Sequence, residues 1–191
     1  RMQRDYWYSV AREHSGLESP AAIGRRAAER TLRRLGGRKL STCKTPVLFA
    51  PEMARSLLGH FVGAIRGGSL YRKASFLVDH LGKEIFPSYV RIHEQPHLKR
   101  ALGSAPFDNE GVATQARDVV RDGRLEGYVL DSYSARKLGM RTTGNAGGVR
   151  NLTIQPGELG LEGLLRQMGT GLLVTELMGQ GVSIVTGDYS R

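Results

Sequence analysis

The chain has 191 residues, of which 40% are hydrophobic, with 25 glycines and a formal net charge of +10, enough for one good-sized domain or one with a small appendage. A single cysteine, Cys43, excludes an intrachain disulfide and a cysteine-built zinc site, and no apolar run approaches the roughly 18 residues that a membrane span needs. Charge is concentrated early: residues 1–44 hold 11 Lys and Arg against 4 Asp and Glu, and without interleaved aromatics or a recognised DNA-binding motif this stripe reads as a solvated helix face rather than a nucleic-acid contact.

The chain starts without methionine and stops in a strand-like run at residues 187–191, so a piece of a longer protein is expected. No signal peptide is present, so the cytosol is the expected compartment. Residues 5–10 carry Tyr6, Trp7 and Tyr8 and predict a short aromatic strand at a sheet edge. Ser19-Pro20 then opens a helix, with serine capping free amides and proline in the first turn. Ile23, Ala27, Ala28, Leu32 and Leu35 mark its apolar side, Arg25, Arg26, Arg30, Arg33 and Arg34 its wet face, and Gly36-Gly37 ends it. Cys43 reads as a partly buried small residue.

Residues 46–50 predict a buried strand. The following helix commits Met53, Leu57, Leu58, Phe61 and Ile65 to the core, and Gly67-Gly68 stops it. Gly59 and Gly63 leave room for a close neighbour, and His60 sits beside the apolar stripe as a packed or hydrogen-bonded side chain. Later segments turn to β structure. Residues 88–94 alternate as a half-buried strand, and Asp122-Gly123 predicts a type I′ hairpin within residues 119–125. Residues 127–130 continue it as a second arm, and one or two helical turns follow at 132–138. A strand at 151–154 and a short helix at 158–168 come next. Residues 171–177 and 182–189 are expected to pair as a second hairpin around Gly179-Gln180-Gly181. The fold class is α+β, with early helices packed on mixed, mostly antiparallel β structure.

No constellation compels an active site. His93 and His97 flank Glu94, but Pro96 breaks a zinc-binding helix and no third ligand is suggested, so both read as solvated strand-end histidines. Residues 144–148, Gly-Asn-Ala-Gly-Gly, follow neither phosphate-loop nor dinucleotide spacing and read as a flexible loop. Asp108, Glu110, Asp118 and Asp122 read as caps or water-facing acids.

Several ordered segments resemble the TldD/PmbA family, historically labelled modulators of DNA gyrase. They are residues 45–51, 67–73, 106–111, 132–140 and 174–191. The stretch Leu57-Leu58-Gly59-His60-Phe61-Val62-Gly63-Ala64, with Arg72-Lys73 after it, is similar to the zinc helix of the family's protease subunit, which carries His-Glu-x-x-Gly-His in this register. There the histidines bind zinc and the glutamate is the base. Here Gly59, His60 and Ala64 occupy those positions and supply no zinc ligand at the motif, whereas a hydrolytic zinc needs three protein ligands and an open position.

The resemblance therefore implies the PmbA-like partner rather than the protease. Residues 1–44 would be a basic strand–helix segment continuous with a preceding part, and 45–191 a TldD/PmbA-type C-terminal domain incomplete at its end. Also implied are a cytosolic heterodimer with a TldD-like subunit that carries the zinc, peptide or unfolded-protein substrates, no catalysis or cofactor in this chain, and a possible homodimer when it is alone. Tyr71, Arg72, Lys73, Arg136, Thr143, Gly144 and Asn145 would serve the cleft or the inter-subunit surface. Two other readings compete: an active peptidase with an unrecognised site, with His60 its best candidate, and a nucleic-acid-binding protein.

Overall fold

Why a basic helix should form beside an aromatic run is answered within the first unit of the computed structural model, which describes residues 2–179 and 181–191. That unit comprises the residues up to Lys44 together with Lys99–Leu102. Ser19 Oγ accepts the Ala22 N–H at 3.3 Å and Pro20 begins helix α1, Pro20–Arg33. The aromatic run is not a strand: Tyr6 and Tyr8 stack on each other, and Trp7 lies 3.9 Å beneath the Arg26 guanidinium and donates to Glu18 at 3.0 Å. Arg30 and Arg34 reach the nearly buried Asp5 carboxylate at 3.2 and 3.4 Å. The helix therefore packs partly through arginines, while Leu32 and Leu35, expected on its apolar side, are exposed. Cation–π and ionic contacts to Trp7 and Asp5 replace the ladder that an edge strand would have needed. Cys43 is exposed, not partly buried.

The second unit, Thr45–Leu98 with Gly103–Arg191, begins with β1 (Val47–Phe49), α2 (Pro51–Ala64), α3 (Gly67–Leu70), β2 (Ile92–Glu94), β3 (Arg117–Arg121) and β4 (Arg124–Leu125). It continues with α4 (Ser132–Lys137), β5 (Leu152–Ile154), α5 (Leu161–Met168), β6 (Leu172–Val174), β7 (Gly181–Val182) and β8 (Tyr189–Ser190). The fold is α+β. None of the described helices is long and apolar enough to cross a membrane.

At its centre is an antiparallel sheet in the order β4-β3-β2-β5. Asp122 and Gly123 have φ of 50° and 76°, so the predicted type I′ turn joins β3 to β4. A Cβ at Gly123 would lie 2.1 Å from the Phe86 carbonyl oxygen, so close approach of backbone adds to the demand for glycine. Val119, Val120, Leu125 and Ile92 are fully buried against Ala64, Ile65, Leu77, Val129 and Leu130. Of residues 88–94 only the last three join the ladder, and residues 127–130 form no strand but make an isolated bridge from Val129 to Arg66, just before α3.

Long-range pairing departs furthest from the local pattern. β6 pairs in parallel with β1, Val47 opposite Leu172, instead of turning back on the following segment. The segment after it folds on itself as β7 and β8. The uninterrupted apolar run Leu172-Leu173-Val174 has no alternation to select a hairpin partner, and it suits a parallel neighbour. β1 is half-exposed in this two-stranded ribbon rather than buried. The turn assigned to Gly179-Gln180-Gly181 lies, at Gln180, outside the described residues.

Helix α2 buries its C-terminal end. Ala64 and Ile65 are sealed in the core, whereas Leu57 is only half-buried and Phe61 packs from the rim, edge-on to Phe86 at 5.4 Å. Gly59 faces open space and Gly63 has Ile184 at 4.0 Å, so neither admits a close neighbour. That role falls to Gly67, which opens α3 rather than merely ending α2. A Cβ there would stand 2.2 Å from Ser134 Oγ and 2.9 Å from Leu130 Cδ2. Gly67→Ala is expected to destabilise the protein by about 1–3 kcal/mol through overpacking. Ser134→Gly in the same chain should recover part of the loss in a urea melt, and an unaltered midpoint for Gly67→Ala refutes the contact.

Candidate functional site

Loop 144–148 is held by a buried polar network, not left flexible. Glu94, on β2 and 2% exposed, accepts hydrogen bonds from Arg117 Nε at 3.0 Å, Asn145 Nδ2 at 2.8 Å and the Arg150 backbone N–H at 2.6 Å. β2 and β3 place Glu94 opposite Arg117, so the ladder itself sets the ion pair. Arg117 also donates to Asn145 Oδ1 and to the Tyr128 carbonyl, both at 2.9 Å. Thr143 Oγ1 donates to Asn145 Oδ1 at 2.7 Å and accepts the Leu130 N–H at 2.9 Å. Gly144 has a φ of 69°, and a Cβ there would lie 2.8 Å from the Ala113 carbonyl oxygen.

Asp108 clamps the same loop from the other side. It accepts the N–H groups of Glu110, Val112 and Ala146 at 2.9–3.0 Å. Burial alone would raise its pKa, but these three donors outweigh burial and hold the carboxyl below its ordinary value. Asp108 and Asp118 are thus buried, not facing water as the sequence pattern suggests.

Against this frame lies a concavity of about 250 Å³ lined by Arg66, Gly68, Arg72, Asp131, Asn145 and Gly147, among others. Arg72 Nε donates to the Gly68 carbonyl at 2.7 Å, which leaves the two terminal nitrogens of that guanidinium for other partners. The Arg66 side chain makes no hydrogen bond or close ion pair among the described residues, and its charge acts on Asp131 only at longer range. Asp131 caps α4: its Oδ1 accepts both the N–H and the hydroxyl of Ser134 at 2.7 Å, and these bonds hold its pKa low.

Of the residues singled out from sequence, Arg72 and Asn145 meet at this concavity, and Thr143 and Gly144 support it from behind. Tyr71 sits beside it, edge-on to Tyr133 at 5.8 Å, while Lys73 and Arg136 are exposed and do not line it. Arg66, Asp131 and Gly147 were missed. Asp131 carries a readable signal, an acid placed to cap the segment at 132–138; Arg66 carries none.

Helix α2 displays the other set. Gly59 is exposed with nothing within 4 Å of a built Cβ. His60 Nε2 lies 3.1 Å from an Arg191 guanidinium nitrogen and its ring meets Tyr189 edge-on. Ala64 is 1% exposed, and its carbonyl accepts the Ser75 hydroxyl at 2.7 Å. Glycine and alanine offer no donor, and no cluster of three or more His, Cys, Asp or Glu side chains among the described residues could hold a metal. The residues at these positions do not fit a zinc ion.

His93 is not a solvated strand-end residue, since it contacts the Asp118 carboxylate; His97 is exposed past the end of β2, as expected, and meets the Thr114 hydroxyl at 3.1 Å. Asp118 also receives Arg91 through two nitrogens at 2.9 and 3.0 Å and Arg121 at 2.7 Å. Its burial would raise the pKa, but Arg91, His93 and Arg121 together hold it well below the usual carboxylate range.

Residues 42–191 match the PmbA/TldA metallopeptidase C-terminal domain. The metalloprotease PmbA of Escherichia coli O157:H7 is 57% identical over 190 residues, spanning all of this chain and 42% of that protein. A metalloprotease TldD homolog of Haemophilus influenzae is 26% identical over 155 residues, 75% of this chain and 32% of that protein. The crystal structure of a candidate modulator of DNA gyrase from Bacteroides thetaiotaomicron superposes with a TM-score of 0.90 at 34% identity, covering 96% of this chain and 41% of that one. The chain belongs to the PmbA/TldD metallopeptidase family, on its PmbA side, and spans less than half the length of these relatives.

Two outcomes test the buried charges. Glu94→Gln is expected to cost about 3–5 kcal/mol, because the part-buried Arg117 would lose its carboxylate and face a neutral amide; a loss no larger than that of a surface change refutes the network. For Asp118, whose folded-state pKa is depressed, the stabilisation is present above the unfolded value of about 3.9 and fades as pH falls through it. The stability gap between the protein and Asp118→Asn should therefore narrow in urea melts below about pH 4. A gap that is unchanged or wider in acid contradicts the pairing.

Proposed function

We propose that this chain forms part of a non-catalytic, PmbA-type subunit of a TldD-type zinc metalloprotease heterodimer. The complex acts in the cytoplasm on unfolded peptides and peptide precursors. The zinc and the catalytic base reside in the partner, and this subunit contributes surface to the cleft. The observation that carries the reading is the helix face at Gly59, His60 and Ala64: two positions have no donor atom, and the third holds an imidazole that cannot replace a carboxylate base. Ala64 is moreover packed where a metal ligand would need an open approach. In the first unit, contacts of Arg26, Arg30 and Arg34 to Trp7 and Asp5 give these arginines an internal role, which favours this reading over nucleic-acid binding.

The test is co-expression of the full-length protein with a TldD-type homologue, then peptide cleavage by each subunit and by the complex. The two should co-purify, zinc should follow the homologue, and only preparations containing it should cleave. His60→Ala in this subunit should leave cleavage by the complex unchanged. Cleavage by this subunit alone, lost in His60→Ala, overturns the proposal in favour of an active peptidase.

A further inference from the structure

We propose that the concavity between α3 and the 144–148 loop is a subsite for a carboxylate, either a peptide's C-terminus or an acidic side chain; this rests on the reading that the protein handles peptides. Its charge is lopsided. Arg66 and Arg72 bring two positive charges to the lining and Asp131 one negative charge. Asp131 directs its hydrogen bonds to Ser134 and offsets one of the two arginine charges at a distance, so one positive charge remains uncompensated. A monoanion neutralises that excess, whereas a phosphate dianion would leave the site negative. Guanidinium groups also suit a planar carboxylate, which accepts two parallel N–H donors from each fork.

Space in front of the arginines is preserved by residues without side chains. A Cβ on Gly68 would lie 3.6 Å from Arg72 Nη2, so glycine there keeps the guanidinium approachable. Gly147 has a φ of 93°, and a Cβ on it would stand 2.5 Å from Asn109 Nδ2, so the rim at this point calls for glycine. The other polar side chains of the lining do not compete for the arginines: Asn145 is held at both ends by Glu94 and Arg117, and the Ser69 hydroxyl donates to the Gly63 carbonyl at 3.1 Å. The position is thus rigid on one wall and charged on the other, as a preorganised anion subsite requires.

The experiment measures binding to the isolated full-length protein by calorimetry, with no partner and no cleavage step. The probes are one N-acetylated peptide without acidic side chains as free acid and as C-terminal amide, the amide carrying one glutamate, and inorganic phosphate. At least one carboxylate-bearing probe should bind about tenfold or more tightly than the neutral amide, as charge-assisted bonds imply. Which of them does so assigns the source of the carboxylate. Arg66→Gln and Arg72→Gln should each reduce the preference and the double variant abolish it, while Arg72→Lys retains part; matching thermal melts exclude misfolding. Equal binding of acid and amide, a preference surviving in the double variant, or phosphate binding more tightly than every carboxylate overturns the proposal. A preference that persists although no protease complex forms upholds this subsite and sinks only the subunit reading.

Discussion

The pair of buried Glu94 and part-buried Arg117 is the constraint on which the second unit depends. A carboxylate and a guanidinium withdrawn from water are costly unless every donor and acceptor finds a partner. Here the remaining valences recruit Asn145, the Arg150 backbone and the Tyr128 carbonyl. Those bonds tie the central sheet to the 144–148 loop and to the segment leading into α4. The concavity beside α3 therefore has a fixed wall because a charge pair inside the sheet needed satisfying. Asp108 closes the loop from its other end by the same logic, with backbone amides in place of a cation.

Much of the secondary structure is written locally. Ser19-Pro20 caps a helix, Asp122-Gly123 turns a hairpin, and residues 132–138 coil after Asp131, each by short-range chemistry that any observer can read. What could not be read is contact between distant residues. Nothing near Leu172 announces β1 as its partner, and nothing near Trp7 announces Arg26. The acids misled for the same reason: Asp118 and Asp108 look like surface residues until Arg91, Arg121 and three backbone amides converge on them. Arg72 and Asn145 at the concavity came from family resemblance, whereas Arg66 emerges only once Val129 bridges to it across the core.

The α2 positions singled out by the family resemblance hold no set of metal donors. Gly59 opens to solvent, His60 is engaged by Arg191 and Tyr189, and Ala64 is absorbed into the hydrophobic core. Core packing thus covers position 64, and solvent faces position 59. Putting a histidine at position 64 would have to displace packed side chains before it met any metal, so the change is one of volume as much as of donor atoms.

The parallel pairing of β1 with β6 carries a consequence for how the molecule is made. Its strands join residues numbered 47 and 172, so the ribbon forms only after nearly all of the second unit has left the ribosome. The central hairpin at Asp122-Gly123 closes over a few residues and can form early, whereas the ribbon must meet the entropy of a long closed loop. β1 therefore waits for its partner strand during synthesis, with its backbone donors and acceptors unpaired and open to other strands.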